Sequence, residues 1–218
     1  YSRMPTLSLF DPDPGNVLTL DTGLIALPGL ALPYAAALAR AVQELLHSAP
    51  WRHMQVPSGH RMSAAQSSCG NLGWISDEHG YRYSPTDPQS GLGWPAMPPV
   101  FKDLLTHIAQ ESGQGPLQPD TCLINYYDEQ AHMSLHQDRN ERDLQHPIVS
   151  VSLGREALFL WGGATRSAPV RTLRLRDGDV LIWWGPSRLN FHGIRRLEGP
   201  AHPLWGSGRV NLTFRKAG

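Results

Sequence analysis

A series of short β-strands in the C-terminal half constrains the fold of this chain more than any other feature of the sequence. Seven segments between Thr121 and Arg215 have strand-like patterns, in which apolar residues alternate with polar ones or form short apolar runs. Such patterns indicate strands that are buried on one or both faces. Asp177-Gly178 separates two of these segments, and Asp-Gly is a strong signal for a two-residue hairpin turn. Strands at this regular spacing predict a double sheet of the jelly-roll type.

Two helices are predicted before these strands. Leu38, Val42 and Leu45 recur at helical spacing between residues 33 and 47. A second apolar stripe covers residues 99–111, and Gly113 is placed to end that helix. The intervening residues, about 51–97, are rich in glycine, proline, arginine and aromatic residues, so we expect irregular strands and loops that form a lid. The predicted class is α+β, mostly β, with N-terminal helices packed on a jelly-roll core of about residues 121–218.

Composition narrows the range of functions. The chain has 19 Lys and Arg residues against 19 Asp and Glu residues, so its net charge of zero excludes a polybasic protein but permits a local basic groove. Two cysteines can form neither a disulfide framework nor a four-cysteine zinc site, which fits a cytoplasmic protein. We find no pattern of a signal peptide or an uninterrupted membrane span, so we expect no membrane association. We expect a flexible segment at residues 1–20, a single domain at residues 21–218, and a monomer.

Motifs for several common chemistries are absent from the sequence. It has no phosphate-binding loop, no dinucleotide-binding glycine motif, no nucleophile elbow and no zincin helix motif. His136-Gln137-Asp138 remains, and residues i and i+2 of an extended strand point to the same side. Such a triplet is common by chance, and an exposed polar pair is its ordinary explanation. His192, late in another predicted strand, completes two histidines and one carboxylate, the ligand set of non-haem Fe(II) oxygenases.

The last predicted strand carries two arginines on one face. Strand alternation places Arg209, Asn211, Thr213 and Arg215 on one side and apolar residues on the other. This polar side is either a solvated outer face or a pair of cationic clamps for a small dianion. The second interpretation is chemically apt, since guanidinium groups bind carboxylates through two parallel hydrogen bonds.

Together these motifs resemble the AlkB family of Fe(II)/2-oxoglutarate-dependent dioxygenases. The similar stretches are NLGW at 71–74, YRYSP at 81–85, WPAMP at 94–98, SLHQD at 134–138 and NLTFR at 211–215. The resemblance extends from about residue 24 to the end of the chain. It implies a double-stranded β-helix (jelly roll) with a nucleotide-recognition lid, Fe(II) as the metal, 2-oxoglutarate as co-substrate and O2 as oxidant.

The resemblance also implies roles for individual residues. His136, Asp138 and His192 match the family's iron ligands. Its 2-oxoglutarate contacts are matched by Asn125, Tyr127, Arg209, Asn211 and Arg215. The residues expected to contact the nucleic acid are Trp74, Tyr81, Arg82, Tyr83, Asn140 and Arg166, with Arg52 and Arg61 as further candidate phosphate contacts. His192 would also stack on the base, on the face opposite the lid.

The activity that the resemblance implies is oxidative demethylation of nucleic acids. The enzyme would hydroxylate the N-alkyl group of bases such as N1-methyladenine and N3-methylcytosine in single-stranded DNA or RNA, releasing formaldehyde, succinate and CO2. A base inside a duplex cannot reach a buried metal, so it must be flipped out or belong to a single strand. An aromatic, arginine-rich lid suits such a substrate, because aromatic side chains stack on bases.

Two other functions are compatible with the residues. The same oxygenase core could act on a protein side chain or a small metabolite, although such an enzyme would not need an aromatic, arginine-rich lid. The second alternative is a catalytically inactive jelly-roll module that binds nucleic acid or sugar. The complete metal set together with both arginines argues against an inactive module.

Asn140 marks a departure from the pattern of the bacterial family members, which carry Asp two residues after the iron-binding Asp. An amide at this position accepts a hydrogen bond but adds no charge, and charged hydrogen bonds are about twice as strong as neutral ones. We therefore expect a weaker preference for cationic over neutral damaged bases.

Overall fold

In the computed structural model, which describes residues 16–218, the chain forms thirteen β-strands and two α-helices. The helices are α1 (Ala35–Leu45), which follows a 3-10 turn at Leu32–Tyr34, and α2 (Pro99–Ser112). The strands are β1 (Leu18–Asp21), β2 (Leu24–Leu27), β3 (Ala65–Gly70), β4 (Gly73–Asp77), β5 (Gly80–Ser84), β6 (Thr121–Tyr127), β7 (Met133–His136), β8 (Ile148–Gly154), β9 (Glu156–Trp161), β10 (Arg171–Leu175), β11 (Val180–Trp183), β12 (His192–Glu198) and β13 (Arg209–Arg215).

Two antiparallel sheets make up the body of the fold. The large sheet has seven strands in the order β1-β2-β11-β8-β13-β6-β3, and the small sheet has four in the order β10-β9-β12-β7. Most neighbouring strands are distant in sequence, because the chain passes repeatedly from one sheet to the other. This arrangement confirms the predicted α+β, mostly β, double-stranded β-helix.

Each face of the large sheet has its own apolar core. The face toward the small sheet packs around Trp161 and Trp183, whose ring centroids are 5.8 Å apart. The opposite face packs against both helices through Leu38 of α1 and Phe101 of α2, with Phe214 of β13 meeting the edge of Phe101 at 5.6 Å. The helices therefore cover one face of the large sheet, and the other face carries both the second apolar core and polar side chains such as Arg209 and Asn211.

The predicted helices and later strands are confirmed, with shifts at their ends. The hairpin predicted at Asp177-Gly178 is wrong, because this turn leads from β10 in the small sheet to β11 in the large one. The first helix begins at Ala35 and not at residue 33, because Pro33 lies in the 3-10 turn. Gly113 ends α2 in a left-handed conformation with φ +69°, as predicted. The strand expected at 189–195 begins only at His192, since a 3-10 turn and loop occupy residues 185–191.

The segment predicted as a lid contains one strand of the body of the fold. β3 lies within residues 51–97, yet it is a buried strand that pairs with β6 in the large sheet. Its sequence, AQSSCG, has no β-branched or aromatic residue, so propensity does not reveal it. The β4–β5 hairpin alone forms a separate two-stranded sheet.

The N-terminal prediction concerns residues that lie mostly outside the described range. Residues 1–15 of the expected flexible segment are not among the described residues, and residues 18–21 form strand β1. Among residues 16–218, neither helix has the length and apolar character that a membrane crossing requires.

Candidate active site

Three potential metal ligands converge between the two sheets. His136 ends β7, and His192 begins β12 directly opposite it in the strand register. Asp138 lies two residues beyond the end of β7, with its carboxylate oxygens 3.8 Å from His136 Nε2 and 3.3 Å from His192 Nε2. One ligand atom from each residue lies within 4.8 Å of the other two.

Backbone contacts orient both imidazoles toward this centre. His136 Nδ1 lies 2.8 Å from the Ser134 carbonyl, and His192 Nδ1 lies 3.0 Å from the Asn190 carbonyl. A carbonyl only accepts hydrogen bonds, so each Nδ1 carries the proton and each Nε2 presents its lone pair to the centre. Burial, together with the adjacent His192, lowers the pKa of His136 to about 4, so this imidazole is neutral at pH 7.

The carboxylate of Asp138 is ionised and has capacity for a cation. Burial raises the pKa of this group, but the Arg215 guanidinium, 3.2 Å from Oδ1, outweighs burial and holds the pKa below its ordinary range. Its Oδ2 atom is buried and accepts no hydrogen bond from any of the described residues. Two histidines and one carboxylate oxygen that lacks a donor fit Fe(II), which this ligand set binds with open positions for further ligands.

A small cavity of about 40 Å³ is lined by the triad and by Arg209. Arg209 is 1% exposed and donates one hydrogen bond, to Ser152 Oγ at 3.0 Å. Its Nε and Nη1 atoms have no partner within residues 16–218, and its guanidinium lies 5.3 Å from the ring centre of Tyr127. Burial lowers the pKa of Arg209. A buried guanidinium with free N–H groups fits a carboxylate ligand such as one end of 2-oxoglutarate.

Arg215 also lines this cavity and contacts both the metal ligand Asp138 and Tyr83 of the lid. Arg215 contacts Asp138 Oδ1 at 3.2 Å and donates a hydrogen bond to the Tyr83 hydroxyl at 3.0 Å. Burial lowers its pKa, but Asp138, Tyr83 and Glu141 outweigh burial and raise it. The Nε of Arg215 is buried and without a partner in the described part of the chain. Both arginines predicted as clamps are therefore inside the protein, which excludes the alternative of a solvated face.

The remaining residues predicted to contact the co-substrate lie on the same wall. Asn125, Tyr127 and Asn211 all line the small cavity. Asn211 is held by donating to Ser150 Oγ at 2.7 Å and accepting from Thr213 Oγ1 at 2.6 Å. The structure thus brings together every residue that sequence reasoning assigned to iron and 2-oxoglutarate.

A buried ionic cluster behind the triad was not predicted. Glu141 accepts a hydrogen bond from the Tyr83 hydroxyl at 2.6 Å and lies 3.3 Å from Arg188 Nη2. Arg188 also donates to the backbone carbonyl of Asp138 at 2.6 Å. The cluster fixes the backbone beside the metal ligand. Its only sequence signal is an acidic residue three positions after Asp138, which is too common a pattern to single out.

A larger cavity of about 530 Å³ is lined by His136 and Asp138 of the triad. Trp74 and Tyr81 of the β4–β5 hairpin form one wall, with their rings stacked at 5.7 Å and 15°. Asn140 is exposed and belongs to the lining. Arg166 also lines it, donating to the Leu135 carbonyl at 3.1 Å. Four of the six predicted substrate contacts therefore border one space.

The other predicted substrate residues have partners elsewhere. Arg82 forms a two-bonded ion pair with Asp77, both at 2.8 Å, and the Tyr83 hydroxyl contacts Arg215 and Glu141 as described above. Arg52 is buried in an ion pair with Asp87 at 2.6 Å.

The prediction that His192 stacks on the base is wrong, because His136 is the histidine that lines the larger cavity. His136 lines the large cavity and its side chain is 33% exposed, whereas His192, 7% exposed, lines only the small one. β12 is an interior strand of the small sheet, whereas β7 is its edge strand, so β7 is the strand that presents its histidine to the open space.

The comparisons with known proteins agree with this geometry. The family model described as the 2OG-Fe(II) oxygenase superfamily matches residues 23–215. The alpha-ketoglutarate-dependent dioxygenase AlkB of Escherichia coli (strain K12) is 47% identical over 199 residues, which cover 91% of this chain and 92% of that protein. The chain belongs to the AlkB family of 2OG-Fe(II) dioxygenases.

Two further proteins extend the similarity. The DNA N(6)-methyladenine demethylase ALKBH1C of Arabidopsis thaliana is 32% identical over 171 residues, which cover 66% of this chain and 38% of that protein. The solved structure of OsALKBH1 superimposes with a TM-score of 0.81 at 30% identity, over 92% of this chain and 100% of that chain. As an AlkB-family dioxygenase, the protein uses Fe(II), 2-oxoglutarate and O2.

Proposed function

We propose that this enzyme is an oxidative demethylase that removes N-alkyl groups, such as those of N1-methyladenine and N3-methylcytosine, from single-stranded DNA or RNA. The observation that carries the proposal is the junction of the two cavities at the triad. His136 and Asp138 line both, so a flat ring held against Trp74 in the larger cavity would direct a substituent toward the metal. The Arabidopsis relative, whose name specifies a methylated base in DNA, supports the same class of substrate.

The chemistry requires Fe(II) and 2-oxoglutarate at the positions described above. When bound, they use O2 to insert one oxygen atom into a C–H bond of the N-methyl group, while the second oxygen atom enters succinate and CO2 leaves. The N-hydroxymethyl product then loses its hydroxyl proton and breaks its C–N bond, which releases formaldehyde and returns the electron pair of that bond to N1 of adenine or N3 of cytosine. The protein's apolar residues Phe159, Trp183 and Ile194 line the small cavity and keep water from the reacting atoms.

The protein residues have distinct tasks in this proposal. Arg209 and Arg215 bind the carboxylates of 2-oxoglutarate, since both are buried cations with unused N–H groups. Trp74 stacks on one face of the base and His136 contacts the other. Arg166 binds the backbone phosphate or sugar next to the flipped base, because it lines the same cavity with its guanidinium over the Phe191 ring at 4.9 Å.

We also propose that the enzyme acts as a cytoplasmic monomer with residues 21–218 as one domain. Cys69 and Cys122 are free and buried, which suits a reducing compartment. Sedimentation equilibrium of the purified protein tests the oligomeric state, and a concentration-dependent dimer would contradict this part of the proposal.

Formaldehyde release from defined substrates tests the proposed activity. The enzyme is reconstituted with Fe(II) and 2-oxoglutarate under nitrogen, exposed to O2, and given single-stranded DNA, single-stranded RNA or a free nucleoside that carries N1-methyladenine. We expect formaldehyde and succinate in equal amounts from an oligonucleotide, and neither product from the His136→Ala variant. Decay of 2-oxoglutarate without formaldehyde from any methylated substrate would contradict the proposal and favour a protein or metabolite substrate.

A further inference from the structure

Gln66 lines the larger cavity, a position that no sequence motif indicated. It lies on β3, directly opposite Asn125 of β6 in the register, and is 1% exposed. Side chains directly opposite each other on antiparallel strands share a face, so Gln66 and Asn125 point to the same side of the large sheet. Asn125 lines both cavities, and Gln66 lines the larger one.

The side-chain amide of Gln66 is only half satisfied. Its Nε2 donates to Asn125 Oδ1 at 2.8 Å, whereas its Oε1 is buried and has no partner among the residues that the structure describes. Buried acceptors are nearly always hydrogen-bonded, and leaving one unpaired is costly. An unpaired acceptor in the wall of a ligand cavity is therefore suited to a donor that the ligand supplies.

The co-substrate fixes which atom of Gln66 remains free. A carboxylate of 2-oxoglutarate only accepts hydrogen bonds, so Asn125 can meet it only with its Nδ2 donor. Asn125 then has Oδ1 for its neighbour, and Gln66 must donate to that atom through Nε2. The orientation of both amides follows from this chain of donors and acceptors, and it leaves Oε1 as the unpaired acceptor of a residue that lines the larger cavity.

We propose that Gln66 is a specificity-determining residue whose Oε1 accepts a hydrogen bond from an N–H group of the substrate base. The inference rests on the proposed function and names the matching substrate chemistry. The exocyclic amines of N1-methyladenine and N3-methylcytosine supply such a donor. N1-methylguanine and N3-methylthymine carry a carbonyl oxygen at the corresponding edge, which would face the Gln66 oxygen without a proton between them.

Substitution of Gln66 tests this role through the ratio of kcat/KM on amine-bearing damaged bases to kcat/KM on carbonyl-bearing ones. Gln66→Met keeps an unbranched side chain of similar length but has no amide. Both proteins are assayed on oligonucleotides that differ only in the modified base. We expect Gln66→Met to lower kcat/KM on the amine-bearing bases about tenfold, because these lesions are cationic donors, and to leave the carbonyl-bearing bases unchanged or improved. Equal changes on both classes would overturn the proposal.

A matched control and a binding measurement distinguish a failure of the role proposed for Gln66 from a failure of the proposed function. Ser68 lies two residues along on the same face of β3, is also buried without a partner for its hydroxyl within residues 16–218, and is not part of the cavity lining. Ser68→Ala should leave the ratio of kcat/KM between the amine-bearing and the carbonyl-bearing bases unchanged. Fluorescence anisotropy of the iron-free proteins with the same oligonucleotides should show the same selective loss in Gln66→Met, and an unselective loss would overturn the role of Gln66. Absence of formaldehyde from the wild type on every base would instead contradict the proposed function, while the binding ratio still reports on Gln66.

Discussion

Arg209→Met should abolish tight binding of 2-oxoglutarate and yet leave the ligand-free protein at least as stable as the wild type. Two N–H groups of Arg209 are buried without a partner in the described residues, and burial lowers the pKa of the side chain. Such a cation destabilises the ligand-free fold, because its desolvation is not compensated. The same cation becomes the partner of a carboxylate once 2-oxoglutarate binds. Removing it should therefore change stability in opposite directions with and without ligand.

The expected magnitude follows from the burial of the pair. Leaving a buried charge without its partner costs about 3–5 kcal/mol. At about 1.36 kcal/mol for each factor of ten, the dissociation constant for 2-oxoglutarate should rise roughly 150- to 5,000-fold. At a ligand concentration 100 times the wild-type constant, the wild type gains about 2.7 kcal/mol and the variant less than about 0.3 kcal/mol. For a chain of this size, the wild-type gain corresponds to a Tm increase of about 5–11 °C.

Thermal melting under nitrogen, with Fe(II) and increasing 2-oxoglutarate, measures both effects in one experiment. Arg196→Met is the matched control, because Arg196 lies on a strand of the small sheet with its side chain 62% exposed and paired with Glu198 at 3.0 Å. The control should keep the full ligand-dependent shift. If Arg209→Met also kept that shift, or if it melted far below the wild type without ligand, the assignment of Arg209 to the co-substrate would be refuted.

Four further predictions concern the triad, the lid, the cavity mouth and the buried cluster. His136→Ala should lose all turnover and the Fe(II)-dependent increase in Tm while keeping the wild-type circular dichroism spectrum; residual turnover would remove it from the ligand set. Trp74→Ala should weaken binding of methylated single strands by about 1–3 kcal/mol and spare the slow substrate-free decay of 2-oxoglutarate, and loss of both would mean a structural role. Asn140→Asp should raise kcat/KM on cationic bases and barely change it on neutral etheno-adducts, since a carboxylate would be added to the cavity lining; an unchanged ratio would contradict this. Glu141→Gln should lower the free energy of unfolding by about 3–5 kcal/mol in urea, whereas Glu129→Gln, which alters an exposed ion pair, should change it by less than about 1 kcal/mol.

The sequence by itself determined the strands and turns of the core and the identity of the metal set. Alternation between Thr121 and Tyr127 is a local property of the chain, and β6 has those bounds in the structure. The turn at Asp177-Gly178 was equally local, because Gly178 has φ +83°, which favours glycine, although the strands on its two sides belong to different sheets and form no hairpin. His136, Asp138 and His192 could be named in advance because few ligand sets combine two histidines with one carboxylate.

Only the tertiary structure decided how these elements meet. Periodicity shows that a strand buries one face, but it does not specify the neighbouring strand, so the pairing of β7 with β12 and the exposure of His136 instead of His192 could not be read from the chain. The same applies to Glu141 and Gln66, which are ordinary polar residues in sequence. Their roles arise from burial and from partners on distant strands, because a polar group becomes selective only where water no longer competes for its hydrogen bonds.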